Sequence, residues 1–204
     1  VNSLNIGAEA YAEMGLSLVG IDCDLGETSV QIASDSYGIG ELATRRLIDD
    51  GCSRILCLRN NSRMRMPANK RTDAYHDVVE QAGLPALVRE VEFVKSDDEK
   101  SAVVAKILDE NPDIDGIFAG DDTMAAICLN VMKRRGLSAP DDIKVVGADG
   151  ARRTMTFMPD LTTVRQDIDR IGELAAQSII ALVNGEKPES NTKLPVELIE
   201  GKTA

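Results

Sequence analysis

Short apolar runs alternate with longer segments of helical period along most of the chain. Strands buried on both faces read as short continuous aliphatic runs, whereas helices repeat their apolar residues at three-to-four spacing. Four successive strand-helix rounds of this kind are typical of an α/β protein with a parallel sheet and helices on both faces. The pattern predicts strands at 18–21, 54–58, 88–94, 116–119 and 143–148, and helices at 38–50, 67–82, 97–110 and 122–135.

The regular alternation of strands and helices ends beyond Gly150. An irregular segment to Pro159 precedes a predicted strand at 161–165, a helix at 169–183 and a final strand at 194–199. No Gly/Ser-rich tether interrupts the chain, so a second lobe would have to be joined to the first by crossing strands or loops. We therefore expect the C-terminal elements to return to a lobe that begins earlier.

Composition and charge narrow the classes of function. The 204 residues carry 23 Lys and Arg against 34 Asp and Glu, a formal net charge of −11. This disfavours binding of nucleic acid by the chain itself, because a phosphate backbone is bound by clustered Lys and Arg. The only histidine, His76, leaves little material for a His-based zinc site or a Ser-His-Asp triad. No window reaches the ~18 apolar residues that span a bilayer, and four scattered cysteines indicate free thiols in a reducing cytosol.

A glycine pattern suggests one enzymatic hypothesis. Residues 38–43 read GIGELA and fit the loose G-x-G-x-x-A pattern of dinucleotide-binding proteins. Such a site also requires an acidic residue near the end of the following strand, which here ends in Arg59 and Asn60. Glycines also occur where two helices pack closely, and the sequence favours that interpretation. An NAD(P)-dependent enzyme is therefore the third hypothesis, and no cofactor is expected.

Three aspartates, Asp121, Asp122 and Asp149, fall at or just past the carboxyl ends of two predicted strands. Open α/β sheets bind their ligands at this edge. Ionised carboxylates accept hydrogen bonds from ligand hydroxyls, and they can also hold Mg²⁺ or act as an acid-base pair. Capping of the following helix is the alternative interpretation for Asp121 or Asp122.

A basic cluster lies at the start of the helix predicted at 67–82. The guanidinium of Arg71 can form two parallel hydrogen bonds to a sugar, carboxylate or phosphate, a geometry that lysine lacks. A solvent-exposed helix face is the alternative interpretation. The neighbouring basic residues are Arg63, Arg65 and Lys70.

Three segments carry a family resemblance. Residues 115–125 read DGIFAGDDTMA, residues 140–149 read PDDIKVVGAD, and residues 159–166 read PDLTTVRQ. In order and spacing they resemble the effector-binding domain of the lactose-repressor/galactose-repressor (LacI/GalR) family of bacterial transcription regulators. The resemblance runs from about 18 to 203. It implies a periplasmic-binding-protein-like (type I) fold, in which two α/β lobes are joined by three crossings around an effector cleft.

The resemblance also implies boundaries for the two lobes. The C-terminal lobe would contain residues 34–150 and 188–204, and the N-terminal lobe residues 1–33 and 151–187. Family members carry a helix-turn-helix and about three further strands before the strand that corresponds to 18–21. We therefore expect this chain to be a fragment of a regulator, with an incomplete N-terminal lobe and with its DNA contacts in a domain that it lacks.

By the family pattern, four residues face the effector. Arg71 would donate to ligand oxygens, Asp121 and Asp149 would accept from hydroxyls or ring N–H groups, and Gln166 would reach in from a crossing strand. Many relatives place an aromatic ring near Lys95. A lysine there, together with Arg71, points to an anionic or phosphorylated effector.

The resemblance thus predicts a cytoplasmic, homodimeric sensing domain without enzyme activity or membrane contact. Its effector would be a sugar, a sugar phosphate or a purine-like ligand. A periplasmic sugar-binding protein of a transporter is the second hypothesis, because it shares the fold, but it should carry a secretory signal.

Overall fold

The computed structural model describes residues 8–23, 25, 29–61, 69–92 and 94–204. Within these residues the strands form two separate sheets. The strands are β1 (Val19–Ile21), β2 (Val30–Ser34), β3 (Ile55–Asn61), β4 (Leu87–Glu92), β5 (Gly116–Ala119), β6 (Lys144–Asp149), β7 (Thr162–Gln166), β8 (Asn191–Leu194) and β9 (Val196–Ile199). The helices are α1 (Ala8–Glu13), α2 (Ser36–Asp49), α3 (Asn69–Gln81), α4 (Asp97–Glu110), α5 (Asp122–Arg134), α6 (Arg152–Phe157) and α7 (Ile168–Val183).

The larger sheet has six strands in the order β4-β3-β5-β6-β7-β9. All are parallel except β9, which runs antiparallel to β7. Successive residues of β3 face opposite cores: Leu56 and Leu58 pack among residues of α4 and α5, whereas Ile55 and Cys57 pack among residues of α2 and α3. Helices on both faces explain why these strands read as continuous apolar runs.

The smaller sheet has three parallel strands in the order β1-β2-β8. Val30 and Ile32 of β2 are buried against Ile171 of α7, and they form a third, smaller core. The α/β class predicted from the alternation of strands and helices is confirmed.

The predicted elements within the described residues are present, with ends displaced by a few residues. Three features differ. β2 was not predicted, because its buried residues alternate with half-buried ones instead of forming a continuous run. α6 was expected to be irregular, and since none of its residues is buried, it carries no apolar stripe that a pattern could reveal. The final strand is two strands, β8 and β9, separated by Pro195.

The sheet positions of two strands, β7 and β8, differ from those that the expected lobe boundaries imply. The family resemblance places residues 151–187 in the N-terminal lobe, but β7 pairs with β6 in the larger sheet. It places residues 188–204 in the C-terminal lobe, but β8 pairs with β2 in the smaller sheet. The chain passes between the sheets at Asp35, Asp167 and Pro195. Since each crossing is one residue long, no linker in the sequence marks it.

Candidate functional site

The carboxyl ends of three neighbouring parallel strands meet at one edge of the larger sheet. Asp149 is the last residue of β6 and Gln166 the last residue of β7, while Asp121 follows the end of β5 by two positions. Because β5, β6 and β7 are adjacent in the sheet, these three predicted site residues lie side by side.

Four side chains form a continuous hydrogen-bonded chain across this edge. Arg71 Nη2 donates to Asp149 Oδ1 at 2.9 Å, and Gln166 Nε2 donates to the same oxygen. Ser34 Oγ donates to Gln166 Oε1 at 2.7 Å. Because Ser34 ends β2 and Gln166 ends β7, this chain connects the two sheets. We call these four residues the polar bridge.

Arg71 reaches the polar bridge from the first turn of α3. Helix α2 passes so close to this turn that a Cβ atom on Gly40 would lie 2.1 Å from the backbone oxygen of Arg71. Gly40 is therefore needed for close helix packing, the interpretation that the sequence favoured. The Arg71 side chain is only 11% exposed, and its Nη1 also donates to the Gly120 carbonyl oxygen. A guanidinium buried this far needs an anionic partner, and Asp149 provides it.

Asp149 combines an unusual backbone conformation with a perturbed charge. Its φ of 104° is in the region that favours glycine. Burial raises the pKa of Asp149 above its ordinary value, and the Asp121 carboxylate acts in the same direction, whereas Arg71 and Gln166 oppose the increase. Arg71 and Gln166 thus stabilise the ionised form of a carboxylate that its surroundings otherwise disfavour.

Asp121 and Asp122 are consecutive but have different environments. Asp121 is the N-cap of α5, and its Oδ1 accepts a hydrogen bond from the Met124 amide at 2.7 Å. Asp122 is 3% exposed and points into the protein, where it contacts Thr163 and Gly150. Burial raises the pKa of Asp122 to about 6. The cap expected from one of these two aspartates is therefore made by Asp121.

Lys95 lies apart from the polar bridge. It follows β4, and β3 and β5 separate that strand from β6 in the sheet. Its Nζ is 3.9 Å from Glu92 Oε2, an i,i+3 ion pair. No contact among the described residues joins Lys95 to the polar bridge. The structure therefore does not bring Lys95 together with the other candidate residues. Arg63 and Arg65 lie outside the described residues, and Lys70 is exposed.

Ser34 and Asp22 lie at the carboxyl ends of β2 and β1 in the smaller sheet, beside this edge, but they are not among the predicted site residues. Asp22 directly follows β1, and its Oδ1 accepts a hydrogen bond from the Ser34 amide at 2.9 Å. The place of these two residues beside the site becomes clear only when β2 is recognised as a strand parallel to β1, because Ser34 then ends β2 and Asp22 directly follows β1. The available signal is the pair of β-branched residues Val30 and Ile32 on either side of the polar Gln31.

The other chemical hypotheses find little support in the described part of the chain. There, no three His, Cys, Asp or Glu side chains are grouped so that they could hold a metal ion. The backbone of Arg71 fills the open side of Gly40, where a dinucleotide site would need space for a pyrophosphate. Across the same residues, the helices are too short or too polar to cross a membrane.

The periplasmic binding protein-like domain family matches residues 44–204 of this chain. A sucrose operon repressor from Pediococcus pentosaceus is 31% identical over 202 residues, which are 98% of this chain and 62% of the repressor. This chain belongs to the LacI family. The family resemblance carried by the three sequence motifs is therefore confirmed.

Other LacI-family relatives agree with this assignment. A ribose operon repressor from Halalkalibacterium halodurans is 30% identical over 196 residues, covering 95% of this chain and 58% of the repressor. The solved complex of the transcriptional regulator CelR with cellobiose superposes with a TM-score of 0.85 at 27% identity, covering 95% of this chain and 61% of CelR. The LacI-family chain described here thus spans about 60% of the length of the curated relatives it matches.

Proposed function

We propose that this LacI-family chain is an effector-sensing domain that binds a small, neutral, polyhydroxylated ligand, a sugar, at the polar bridge. The polar bridge is the observation that carries this proposal. It brings together hydrogen-bond donors and acceptors from Arg71, Asp149 and Gln166, and through Ser34 it connects the two sheets. A ligand bound there would contact both halves of the fold.

The hydrogen-bonding groups suit hydroxyls. Arg71 only donates and an ionised aspartate only accepts, while a sugar hydroxyl can do both. Both hydrogen bonds that the described residues make to Asp149 fall on Oδ1, so its Oδ2 is a candidate acceptor for a ligand hydroxyl. Asp121 lies at the neighbouring strand end as a second acceptor.

The charge of this edge favours a neutral ligand over a phosphorylated one. Arg71 is already paired with Asp149, and the carboxylate of Asp121 stands nearby, so the group as a whole is negative when both carboxylates are ionised. Lys95, which suggested an anionic effector, is paired with Glu92 elsewhere. A phosphoryl group would meet repulsion without an unpaired cation among these residues to offset it.

The names of the relatives support the same class of ligand. Two are repressors of sucrose and ribose operons, and CelR was solved with cellobiose. The periplasmic transport hypothesis shares the fold, but these relatives are transcription regulators.

Sensing requires that the ligand bind two arrangements of the domain with different affinity. We propose that each sheet with its covering helices is one lobe, and that closure of the lobes across the polar bridge is the favoured arrangement of the bound state. In the whole protein, a separate N-terminal helix-turn-helix would bind DNA. The regulator would be a cytoplasmic homodimer that performs no catalysis.

Isothermal titration calorimetry on the full-length regulator tests this proposal. The probes are sucrose, D-ribose and cellobiose, each compared with a phosphorylated form of the same sugar. We expect one neutral sugar to saturate the protein and its phosphate to bind at least tenfold more weakly. Failure of every sugar to bind a folded regulator would refute sensing of this class, and tighter binding of a phosphate would refute the charge argument.

A further inference from the structure

Asp122 lies directly beneath the proposed effector site and makes two hydrogen bonds there. Its Oδ2 accepts from the Gly150 amide at 2.9 Å, and its Oδ1 accepts from the Thr163 hydroxyl at 2.6 Å. The carboxylate therefore connects the start of α5 to β7 and to the turn that follows β6. Asp122 and Thr163 are both buried.

The strand between these partners is shaped to admit the carboxylate. A Cβ atom on Gly147 of β6 would lie 2.5 Å from Asp122 Oδ1 and 3.2 Å from a methyl carbon of Leu161. Any larger residue at 147 would occupy the space that the carboxylate crosses on its way to β7. Glycine at this position is thus coupled to the presence of Asp122.

The turn held by Asp122 has a backbone conformation that needs support. Asp149 has φ 104° and Gly150 has φ 58°, so two consecutive residues lie in the region of positive φ. For a residue other than glycine this conformation persists only when the surrounding structure enforces it. The described contacts hold it on two sides, through Asp122 at the Gly150 amide and through Arg71 and Gln166 at the Asp149 carboxylate.

Resting on the proposed function, we propose that Asp122 is a positioning residue of the effector site. By holding the Gly150 amide and the Thr163 hydroxyl, it fixes the turn that directs the Asp149 carboxylate at Arg71 and Gln166. Asp122 does not contact the ligand. It determines where Asp149, which does, presents its oxygens.

Burying this carboxylate has a cost that a purely apolar packing residue would avoid. Desolvation raises the pKa of Asp122 to about 6, and the carboxylates of Asp149 and Asp121 face it and act in the same direction. The Thr163 hydroxyl and the Gly150 amide oppose the increase. This cost is offset because Asp122 accepts a hydrogen bond from the Gly150 amide, which would otherwise be buried without a partner.

The test compares Asp122→Ala and Asp122→Asn with wild type in the full-length regulator. Asparagine can accept from the Gly150 amide and donate to the Thr163 oxygen, so it should preserve the turn. Alanine removes both bonds. Asp115→Ala is the matched control, because Asp115 accepts from the Ser53 and Arg54 amides, each at 2.8 Å, at the opposite end of β5.

Hydrogen exchange of the Gly150 amide, measured without ligand and corrected for global stability, is the first readout. We expect at least tenfold faster exchange in Asp122→Ala and nearly wild-type exchange in Asp122→Asn and Asp115→Ala. Unchanged protection of Gly150 in Asp122→Ala would overturn the inference. Should that variant fail to fold, Thr163→Val replaces it, because it removes only the hydroxyl bond. There too we expect faster exchange at Gly150, and no change would overturn the inference.

Binding of sucrose, D-ribose and cellobiose is the second readout. We expect the sugar that binds wild type to bind Asp122→Ala at least tenfold more weakly, with affinity restored in Asp122→Asn. Equal losses of affinity in Asp122→Ala and Asp115→Ala would show a general effect of lost stability and overturn positioning. If no sugar binds wild type, the proposed function fails, while exchange at Gly150 still decides whether Asp122 positions the turn.

Discussion

Replacing Asp122 by asparagine should change how the stability of this domain depends on pH. Asp122 is 3% exposed, and burial raises the pKa of its carboxyl from 3.8 to about 6. Because the folded state then binds this proton more tightly than the unfolded state, stability rises as the pH falls through 6. The gain is complete below the unfolded pKa. Asparagine carries no such proton, so the variant lacks this contribution.

The size of the effect follows from the two pKa values. At about 1.4 kcal/mol per pKa unit, the full difference is roughly 3 kcal/mol at low pH. By pH 5 the wild type should already have gained between about 1 and 2 kcal/mol relative to Asp122→Asn, taking pH 8 as the reference. For a domain of this size, that corresponds to a change of roughly 2–8 °C in the Tm difference between the two proteins.

Thermal melts of both proteins at several values between pH 8 and pH 5 measure this difference. Taking the difference removes the contributions of groups common to both proteins. Asp142→Asn is a useful control, because the Ser138 amide and hydroxyl lower the pKa of the exposed Asp142 carboxyl. Relative to that variant, the wild type should keep a constant Tm difference between pH 8 and pH 5, because the unfolded carboxyl titrates at 3.8 and the folded one lower still. It should lose stability, the opposite sign, only as the pH falls further. A Tm difference for Asp122→Asn that stays constant from pH 8 to pH 5 would refute the reasoning.

Four further substitutions test the site from other directions. Gly40→Ala places a Cβ atom 2.1 Å from the Arg71 backbone oxygen, so it should destabilise the fold by about 1–3 kcal/mol in urea melts; an unchanged midpoint would contradict the packing argument. Arg71→Ala and Asp149→Ala should each weaken sugar binding by roughly 1–3 kcal/mol in calorimetry, because each leaves a buried polar partner unpaired. Wild-type affinity in both variants would exclude the polar bridge as the sugar-binding site. Lys95→Ala should leave the sugar affinity measured by calorimetry unchanged, and a tenfold loss of affinity would show that Lys95 contributes to the site.

Local periodicity accounts for the elements that were predicted well. β3, β5 and β6 are covered by helices on both faces, so their apolar runs are unbroken. β2 is less distinct, because one of its faces is only half-buried and its five residues include Gln31 and Ser34. That omission also concealed Ser34 as a site residue.

The candidate site was predicted in part for a different reason. Parallel strands bring their carboxyl ends to one edge, so polar residues at those ends could be grouped without knowledge of contacts. Asp149 does lie at this edge. It meets Arg71, which the basic cluster at the start of α3 suggested, and Gln166, which the family resemblance suggested. Lys95 also follows a parallel strand, but β3 and β5 lie between that strand and β6. The local sequence pattern does not specify the order of strands in a sheet.

The sequence by itself determined the α/β class, the order of most strands and helices, and the polar residues at the strand ends. Each of these depends on neighbouring residues or on a general rule for parallel sheets. Only the tertiary structure decided that Asp122 points inward, that β7 and β8 lie in different sheets, and that Ser34 reaches Gln166. These outcomes depend on contacts between distant positions, 132 residues apart for Ser34 and Gln166, and no local pattern specifies such contacts.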